Sequence, residues 1–146
     1  MSTDTIVWVE RSLALAIHER QLAEHGGGGG VRDENLLASA LARPQQLHAH
    51  GDPPPDLADL AASLAFGLAR NHPFVDGNKR TVHICYRVFL ALNDIELDAR
   101  DEDKYVMMIA LAEGRLAEAD FAAWLRRHIR VEDGKRINEP RARYSR

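Results

Sequence analysis

Residues 82–92 place the strongest constraint on the fold, because this stretch is apolar at every position except His83 and Arg87. Together with the residues before it, the stretch predicts a helix of about sixteen residues that begins at Asn78. A helix that is apolar around its whole circumference lies in the interior, where other elements must cover it. The sequence therefore predicts a bundle of helices packed around this segment.

Five other segments carry apolar residues at helical spacing. Asp33 and Asp56 are expected to act as N-caps, and Pro44 is expected to end the second helix, because a residue before proline is pushed out of the α region. There is no internal repeat and no alternating strand pattern longer than a few residues. The predicted fold class is all-α, with about six helices and at most one small flap or hairpin. The further helices are expected over residues 7–24, 34–43, 57–70, 101–113 and 117–129.

Two connecting segments interrupt the helices. The five glycines of 26–30 cannot continue a helix cheaply and are expected to form a mobile connector. Residues 44–55 contain four prolines and are expected to be an extended loop or a short hairpin at which a substrate can dock.

Length and composition predict one globular domain over residues 1–130. The chain has 146 residues, of which 45% are hydrophobic and 28% charged, and its formal net charge is −3. Residues 126–146 hold eight basic and three acidic side chains, so 131–146 are expected to be a basic, flexible and solvated tail, and nucleic acid is not an expected partner. The single cysteine, Cys85, excludes an internal disulfide. Since neither a membrane-spanning run nor a signal peptide is found, the expected location is cytoplasmic, with no membrane partner.

The polar segment over residues 70–81 is the candidate functional site, because it lies between the two most apolar predicted helices. Polar groups placed there are costly without partners, so a ligand is expected to supply them. The backbone amides of Gly77, Asn78 and Lys79 open a helix whose N-terminus is partly positive. Lys79 and Arg80 add two cations, and phosphate is the expected anion.

Two side chains of this segment have a predicted chemical role. Asp76 lies one residue before the predicted anion site, where a Mg²⁺ ion bridging phosphates needs a carboxylate; the other interpretation is an N-cap. Histidine is the residue type best suited to proton transfer near neutral pH, and His72 is the expected general base. Arg80, His83 and Arg87 extend a polar strip along the next helix, and pairing with Glu96 or Asp98 is the structural interpretation of that strip.

Other motifs are absent or weak. Residues 77–81, GNKRT, lack the order of a P-loop, and no HExxH or His-Asp pair for a metal site is found. His48 and His50 could join His72 around a metal ion, but two loop histidines separated by one residue are a weak signal.

Residues 72–81, HPFVDGNKRT, resemble the signature of the Fic/Doc superfamily. Fic members read H-P-F-x-D/E-G-N-G-R-x-x-R, and death-on-curing (Doc) toxins read H-x-F-x-D-G/A-N-K-R-T. The order of segments over residues 7–130 is also similar to that of Doc. The resemblance implies a helical bundle with a small flap, a motif loop that binds ATP with Mg²⁺, and a histidine that deprotonates a target hydroxyl.

Two departures from the Fic pattern point to the Doc branch, since Lys79 replaces a glycine and His83 a second arginine. The resemblance then implies transfer of the γ-phosphate of ATP to a Ser or Thr of a target such as elongation factor Tu, which arrests translation. Fic-type adenylyl transfer is the alternative, and a non-catalytic nucleotide-binding module is the third hypothesis. The roles carried over by the motif are base for His72, metal ligand for Asp76, backbone amides for Gly77, phosphate binding for Asn78, Lys79 and Arg80, and a supporting contact for Arg70.

Regulation is expected to come from a second protein. The inhibitory Ser/Thr-x-x-x-Glu-Gly/Asn motif of many Fic proteins is not found in the sequence. Doc toxins are silenced by a small antitoxin, so the resemblance implies a cognate antitoxin whose C-terminal segment folds into a groove on the chain.

Overall fold

The computed structural model describes residues 5–131, which form six helices and one pair of short strands. The expected all-α fold with six helices and one small strand pair is confirmed for this part of the chain. The expected basic tail lies, apart from Val131, outside the described residues. The elements are α1 (Arg11–His25), α2 (Glu34–His50), α3 (Leu57–Asn71), α4 (Asn78–Leu92), β1 (Ile95–Leu97), α5 (Asp101–Ala112), α6 (Glu118–His128) and β2 (Ile129–Val131).

Helix α3 forms the centre of the bundle and packs against α2, α4 and α6. Eleven of its fifteen residues are buried, and five of these are alanines, whose small side chains let the neighbouring helices approach closely. The sequence predicted α4 as the central helix. Helix α4 is instead buried on one side only, because His83, Ile84, Arg87 and Val88 remain half-buried and Leu92 is exposed.

Helix α2 runs to His50, seven residues beyond Arg43, where the predicted helix ends, so the loop or hairpin predicted over residues 44–55 is wrong for 44–50, and only 51–55 form a loop. Asp33 caps the helix as expected, since its carboxylate accepts a hydrogen bond from Leu36 N at 3.0 Å. Pro44 removes one backbone donor from the helix interior, but it lies buried against the bundle. Arg43, in the same turn, donates to Ser63 O at 3.1 Å and to Glu118 Oε1 at 2.8 Å. These contacts hold the turn in place against the local preference of proline.

The strand pair joins the segment after α4 to the end of the described chain and does not lie within the loop after α2. Strands β1 and β2 are antiparallel, with Ile95 opposite Val131 and Leu97 opposite Ile129. Asp98 N also donates to His128 O at 2.8 Å. The pairing ties the α4–α5 connection to the end of α6.

A charged cluster joins α3 to α6. Asp56 caps α3 in a capping box with Asp59, as the sequence predicted for Asp56. Arg126 Nε donates to Asp56 Oδ2 at 2.8 Å, and Arg126 Nη2 donates to Asp59 Oδ1 at 2.7 Å. Burial opposes ionisation of Asp56, but the hydrogen bonds from Arg126 and from the Asp59 amide outweigh it and hold the pKa of Asp56 below its ordinary value.

None of the helices in residues 5–131 is long and apolar enough to cross a membrane.

Candidate functional site

The loop between α3 and α4 carries the residues that the sequence singled out. His72 is the C-cap of α3 and has a left-handed backbone, with φ 50° and ψ 56°. Gly77 precedes α4 and is also left-handed, with φ 74°, a conformation that glycine adopts without a steric cost. The same conformation is strained for a histidine, so contacts within the surrounding structure must hold His72 in place.

Asn78 shapes the loop from its buried position at the start of α4. Its Oδ1 accepts from Phe74 N at 3.0 Å, and its Nδ2 donates to Phe74 O at 2.9 Å. The amide orientation is thereby fixed, and Nδ2 faces His72 Nδ1 at 3.5 Å. That distance is too long for a strong hydrogen bond. The His72 imidazole therefore remains available to another partner. Asn78 Nδ2 keeps a second N–H beside the one that Phe74 O accepts, so both this N–H and the backbone N–H remain for the predicted phosphate contact of Asn78.

Phe74 and His18 fix the inner side of the loop. Phe74 is buried, as the resemblance implied, and its ring stacks on the His18 ring with 3.9 Å between centroids and 11° between planes. His18 Nε2 lies 2.8 Å from Asp76 O. Because a carbonyl oxygen only accepts, His18 Nε2 carries the proton in this contact. Helix α1 therefore holds the loop immediately before the predicted anion site.

Asp76 is exposed, and each of its carboxylate oxygens accepts one backbone hydrogen bond. Oδ1 accepts from Gly77 N and Oδ2 from Gly28 N, both at 3.2 Å. Gly27 packs so closely that a Cβ there would lie 3.1 Å from Asp76 Oδ2. A carboxylate has about four lone-pair positions, so acceptor positions remain on both oxygens. The carboxylate therefore fits a Mg²⁺ ion that takes one protein ligand and completes its shell with phosphate and water.

The first turn of α4 has the character of an anion site. No side chain caps its N-terminus. Arg80 Nε is buried and has no hydrogen-bond partner among the described residues. Lys79 is exposed, and its only ion pair there is a long contact of 3.9 Å with Glu113. The pKa of Glu113 is lowered chiefly by its hydrogen bond with Arg115 and least by Lys79, so Lys79 is held only weakly. The unpartnered Arg80 nitrogen, the uncapped amides and the loosely held ammonium fit a phosphate group.

The glycine-rich segment contacts the motif loop over several residues. Val31 and Phe74 form an antiparallel bridge, and Val75 N donates to Gly30 O at 3.1 Å. Arg32 N and Asp33 N donate to Pro73 O at 2.7 and 3.2 Å. The segment predicted as a connector is therefore one wall of the candidate site.

Arg70 is not brought into this hydrogen-bonded loop. Its guanidinium carbon lies 5.3 Å from the centroid of the Phe66 ring, one turn back on α3. The supporting contact assigned to Arg70 remains a prediction.

The polar strip of α4 lies against α5. Burial, with the nearby charges of Arg87 and Lys104, lowers the pKa of His83 to about 4, although Asp101 opposes the shift. His83 is therefore a neutral imidazole at pH 7. The structural interpretation of the strip required pairing with Glu96 or Asp98. Within the described chain both acids instead face Arg130, each at 3.6 Å.

A metal site built from side chains alone is not found in residues 5–131, which hold no group of three histidine, cysteine or acidic residues placed around one point. The His48 ring packs against Trp8, with 5.6 Å between centroids.

A groove of about 440 Å³ lies between α1 and α4. Its lining combines apolar side chains with both signs of charge: Ala16, Ile17, Arg20, Gln21, Glu24 and Ile84.

Sequence reasoning missed two residues that hold the site. His18 had a weak signal, because it follows Ile17 on the buried side of the first predicted helix. Arg32 had none, since its side chain contacts carbonyls 39 and 40 residues away. Contacts of that separation leave no mark in a local pattern.

Comparison with known proteins identifies the family of the chain. The model of the Fic/DOC family matches residues 8–90, more than half of the chain. The protein named Toxin Doc of Mycolicibacterium smegmatis is 49% identical over 74 residues, which are 51% of this chain and 57% of the relative, less than two thirds of its length. The protein named Protein kinase doc of Escherichia phage P1 is 27% identical over 113 residues, 77% of this chain and 88% of the relative. The family expected from residues 72–81 is confirmed: the chain belongs to the Fic/DOC family, and the named relatives belong to its Doc branch.

Proposed function

We propose that the chain is a Doc-type toxin that transfers the γ-phosphate of ATP to a Ser or Thr hydroxyl of a target protein. One observation carries the proposal: an exposed histidine, His72, lies in the same short loop as the Asp76 carboxylate and the uncapped, cationic first turn of α4. A base, a metal-binding oxygen and an anion site are the groups that phosphoryl transfer requires.

In the proposed reaction, His72 takes the proton of the target hydroxyl while the hydroxyl oxygen bonds to the γ-phosphorus and the bond to ADP breaks. The amides of Asn78 and Lys79, with the side chains of Lys79 and Arg80, hold the phosphates. The Gly77 amide joins them by exchanging its 3.2 Å hydrogen bond with Asp76 Oδ1 for one to phosphate. Mg²⁺, held by Asp76, supplies charge neutralisation for the phosphates. Positioning and electrostatics provide most of the rate, and a general base is worth about 10²- to 10⁴-fold.

The choice of phosphoryl over nucleotidyl transfer rests on Lys79. A lysine adds a point charge to the anion site and takes up space that a glycine would leave open. The long 3.9 Å contact with Glu113 leaves its ammonium able to turn towards a phosphate. The name of the phage relative, Protein kinase doc, supports the same choice.

The first experiment incubates the protein and Mg²⁺ with a bacterial extract, in parallel with γ-labelled and α-labelled ATP. We expect label from γ only, and no label with the His72→Ala variant, which should unfold at the same temperature as the wild type. Transfer from the α-label would establish the Fic-type alternative. Transfer of neither label, with an unchanged biological effect of Lys79→Ala, would favour a non-catalytic nucleotide-binding module.

The proposed target is an elongation factor Tu-like protein in the cytoplasm. Purified elongation factor Tu should accept the γ-label in the absence of other proteins. Labelling of other bands in the extract, with none on the purified factor, would reject this target while leaving the proposed chemistry intact.

The proposed partner is a cognate antitoxin, in keeping with the Doc relatives. The groove between α1 and α4 combines apolar and charged side chains, as a peptide-binding groove does. We expect Ala16→Arg to fill the groove and weaken antitoxin binding without changing γ-label transfer. Unchanged inhibition of that variant by the antitoxin would show that the antitoxin binds elsewhere.

A further inference from the structure

Arg32 makes two hydrogen bonds to the backbone at the end of α3. Its Nε donates to His72 O and its Nη2 to Asn71 O, both at 2.9 Å. A planar guanidinium presents such donors in a fixed fork. One side chain therefore holds two consecutive carbonyls of the residues that lead into the candidate active loop.

The next carbonyl is held by the same segment. Pro73 O accepts from Arg32 N at 2.7 Å and from Asp33 N at 3.2 Å. Three consecutive carbonyls, from Asn71 to Pro73, are thus bonded to Arg32 and its neighbour. The backbone of His72 is clamped from one side, although its side chain is exposed.

The hydrogen bonds from Arg32 hold a residue whose backbone is strained. His72 has φ 50°, and non-glycine residues occupy that region only where the surroundings determine it. The only side-chain hydrogen-bond contact of His72 within the described chain is the 3.5 Å approach of Asn78 Nδ2. The direction of the imidazole therefore depends on its backbone, and the backbone depends on Arg32.

We propose that Arg32 is the positioning residue for His72, holding the left-handed backbone that aims the imidazole at the target hydroxyl. This inference rests on the proposed function, in which His72 is the base. In this proposal Arg32 acts through the backbone of Asn71 and His72 and not through a contact with ATP or target. Its loss should therefore lower kcat and leave the KM for ATP nearly unchanged.

The test compares Arg32→Ala and Arg32→Lys with Arg100→Ala as the matched control. Arg100 is an exposed arginine at the start of α5 that pairs only with acids of its own helix. Misplacement of a reacting group by about 1 Å can cost about 10²-fold, so kcat of Arg32→Ala should fall by about 10- to 100-fold. Arg32→Lys should be intermediate, and millimolar guanidinium should restore part of the activity of Arg32→Ala. An unchanged kcat, or a loss expressed only in KM, would overturn the proposal.

A second readout separates this proposal from the proposed function. The ring-proton resonance of His72, identified by its disappearance in His72→Ala, should shift in Arg32→Ala and stay in place in Arg100→Ala. If the wild type transfers no label, the proposed function fails and the resonance alone decides the role of Arg32. A resonance that does not respond to Arg32→Ala would overturn the positioning role in either case.

Discussion

Asn78 is the residue on which the shape of the motif loop most depends, because its side chain pairs both the N–H and the C=O of buried Phe74. Removal of a partner from a buried polar group costs about 1–3 kcal/mol. We expect Asn78→Ala to lower the free energy of unfolding by about 2–4 kcal/mol, measured by urea denaturation. Asn35→Ala, at an exposed position of α2, is the control.

The same variant distinguishes two roles of Asn78. If its amide served mainly to bind phosphate, Asn78→Ala would weaken ATP binding and leave the free energy of unfolding unchanged. Asn78→Asp keeps the acceptor for Phe74 N but turns a carboxylate oxygen towards Phe74 O, which is also an acceptor, so at pH 7 it should lose at least as much stability as Asn78→Ala.

His83 makes stability depend on pH. Its pKa is about 4 in the folded chain, because burial and then Arg87 and Lys104 disfavour the charged ring, whereas an unfolded histidine has a pKa of about 6.5. Between these values the unfolded chain binds a proton that the folded chain does not, so stability rises with pH. The part of the free energy of unfolding that depends on neutral His83 is fully present above about pH 6.5. It is lost as the pH falls towards 4.

We therefore expect the wild type to lose more free energy of unfolding than His83→Gln between pH 7 and pH 5, measured by urea denaturation at both values. The other histidines are common to both proteins and cancel in the difference. Asp56, whose pKa is lowered in the folded chain, makes stability depend on pH only near and below its ordinary pKa of 3.8. Equal losses in the two proteins would mean that His83 is solvated and titrates normally.

The charged cluster between α3 and α6 is expected to be a main source of the stability that comes from contacts between helices. Asp56 is nearly fully buried, and its partner Arg126 is about three-quarters buried. Removal of one partner of a buried pair costs about 3–5 kcal/mol, and the partial exposure of Arg126 reduces this. We expect Arg126→Met to lower the free energy of unfolding by about 2–4 kcal/mol at pH 7.

The control is Arg127→Met, because Arg127 is the exposed neighbour on the same helix. In Arg126→Met, burial acts on Asp56 without the opposing guanidinium and should raise the pKa of that carboxyl. The double variant Arg126→Met with Asp56→Asn should be more stable than the sum of the two single losses predicts. Strict additivity would show that the two side chains do not interact.

The elements could be predicted where local signals agree with packing. The carboxylate caps at Asp33 and Asp56 mark the starts of α2 and α3 correctly, because capping is decided within three residues. The predicted end of α2 is wrong, since the turn that contains Pro44 is held in the helix by contacts of Arg43 with Ser63 and Glu118, 20 and 75 residues away. The small sheet pairs β1 with β2, which are separated by two helices. No turn residues between adjacent strands therefore indicate this pairing in the sequence.

At the scale of the whole molecule, the candidate site is assembled from three separate parts of the chain. The motif loop was evident from the sequence, because its polar residues are consecutive. The contributions of His18 and of the glycine-rich segment depend on α1 packing against α4 and on that segment pairing with the motif loop, which only the tertiary fold determines. The polar residues of the motif loop could thus be singled out from the sequence, whereas the contacts of His18 and Arg32 that hold this loop could not.

The assembled site should make nucleotide binding stabilise the whole fold. A ligand that binds only the folded chain adds about 2.7 kcal/mol at a concentration 100 times its Kd, which corresponds to a rise in Tm of roughly 5–10 °C for a domain of this size. We expect this rise with Mg²⁺ and ATP in a thermal unfolding experiment. The rise should be smaller for Lys79→Ala, because one phosphate-binding cation is lost.

Adenosine is the control for that experiment, since it lacks the phosphates that α4 is proposed to bind. It should raise Tm far less than ATP does. Both ligands are compared on the same unfolding transition. The difference between the two rises in Tm therefore measures the contribution of the phosphates to binding. An equal rise with adenosine would place the binding energy in a base pocket and contradict the anion site at Gly77, Lys79 and Arg80. Such a result would also remove the argument from Lys79 for phosphoryl transfer, since the lysine would then face no phosphate.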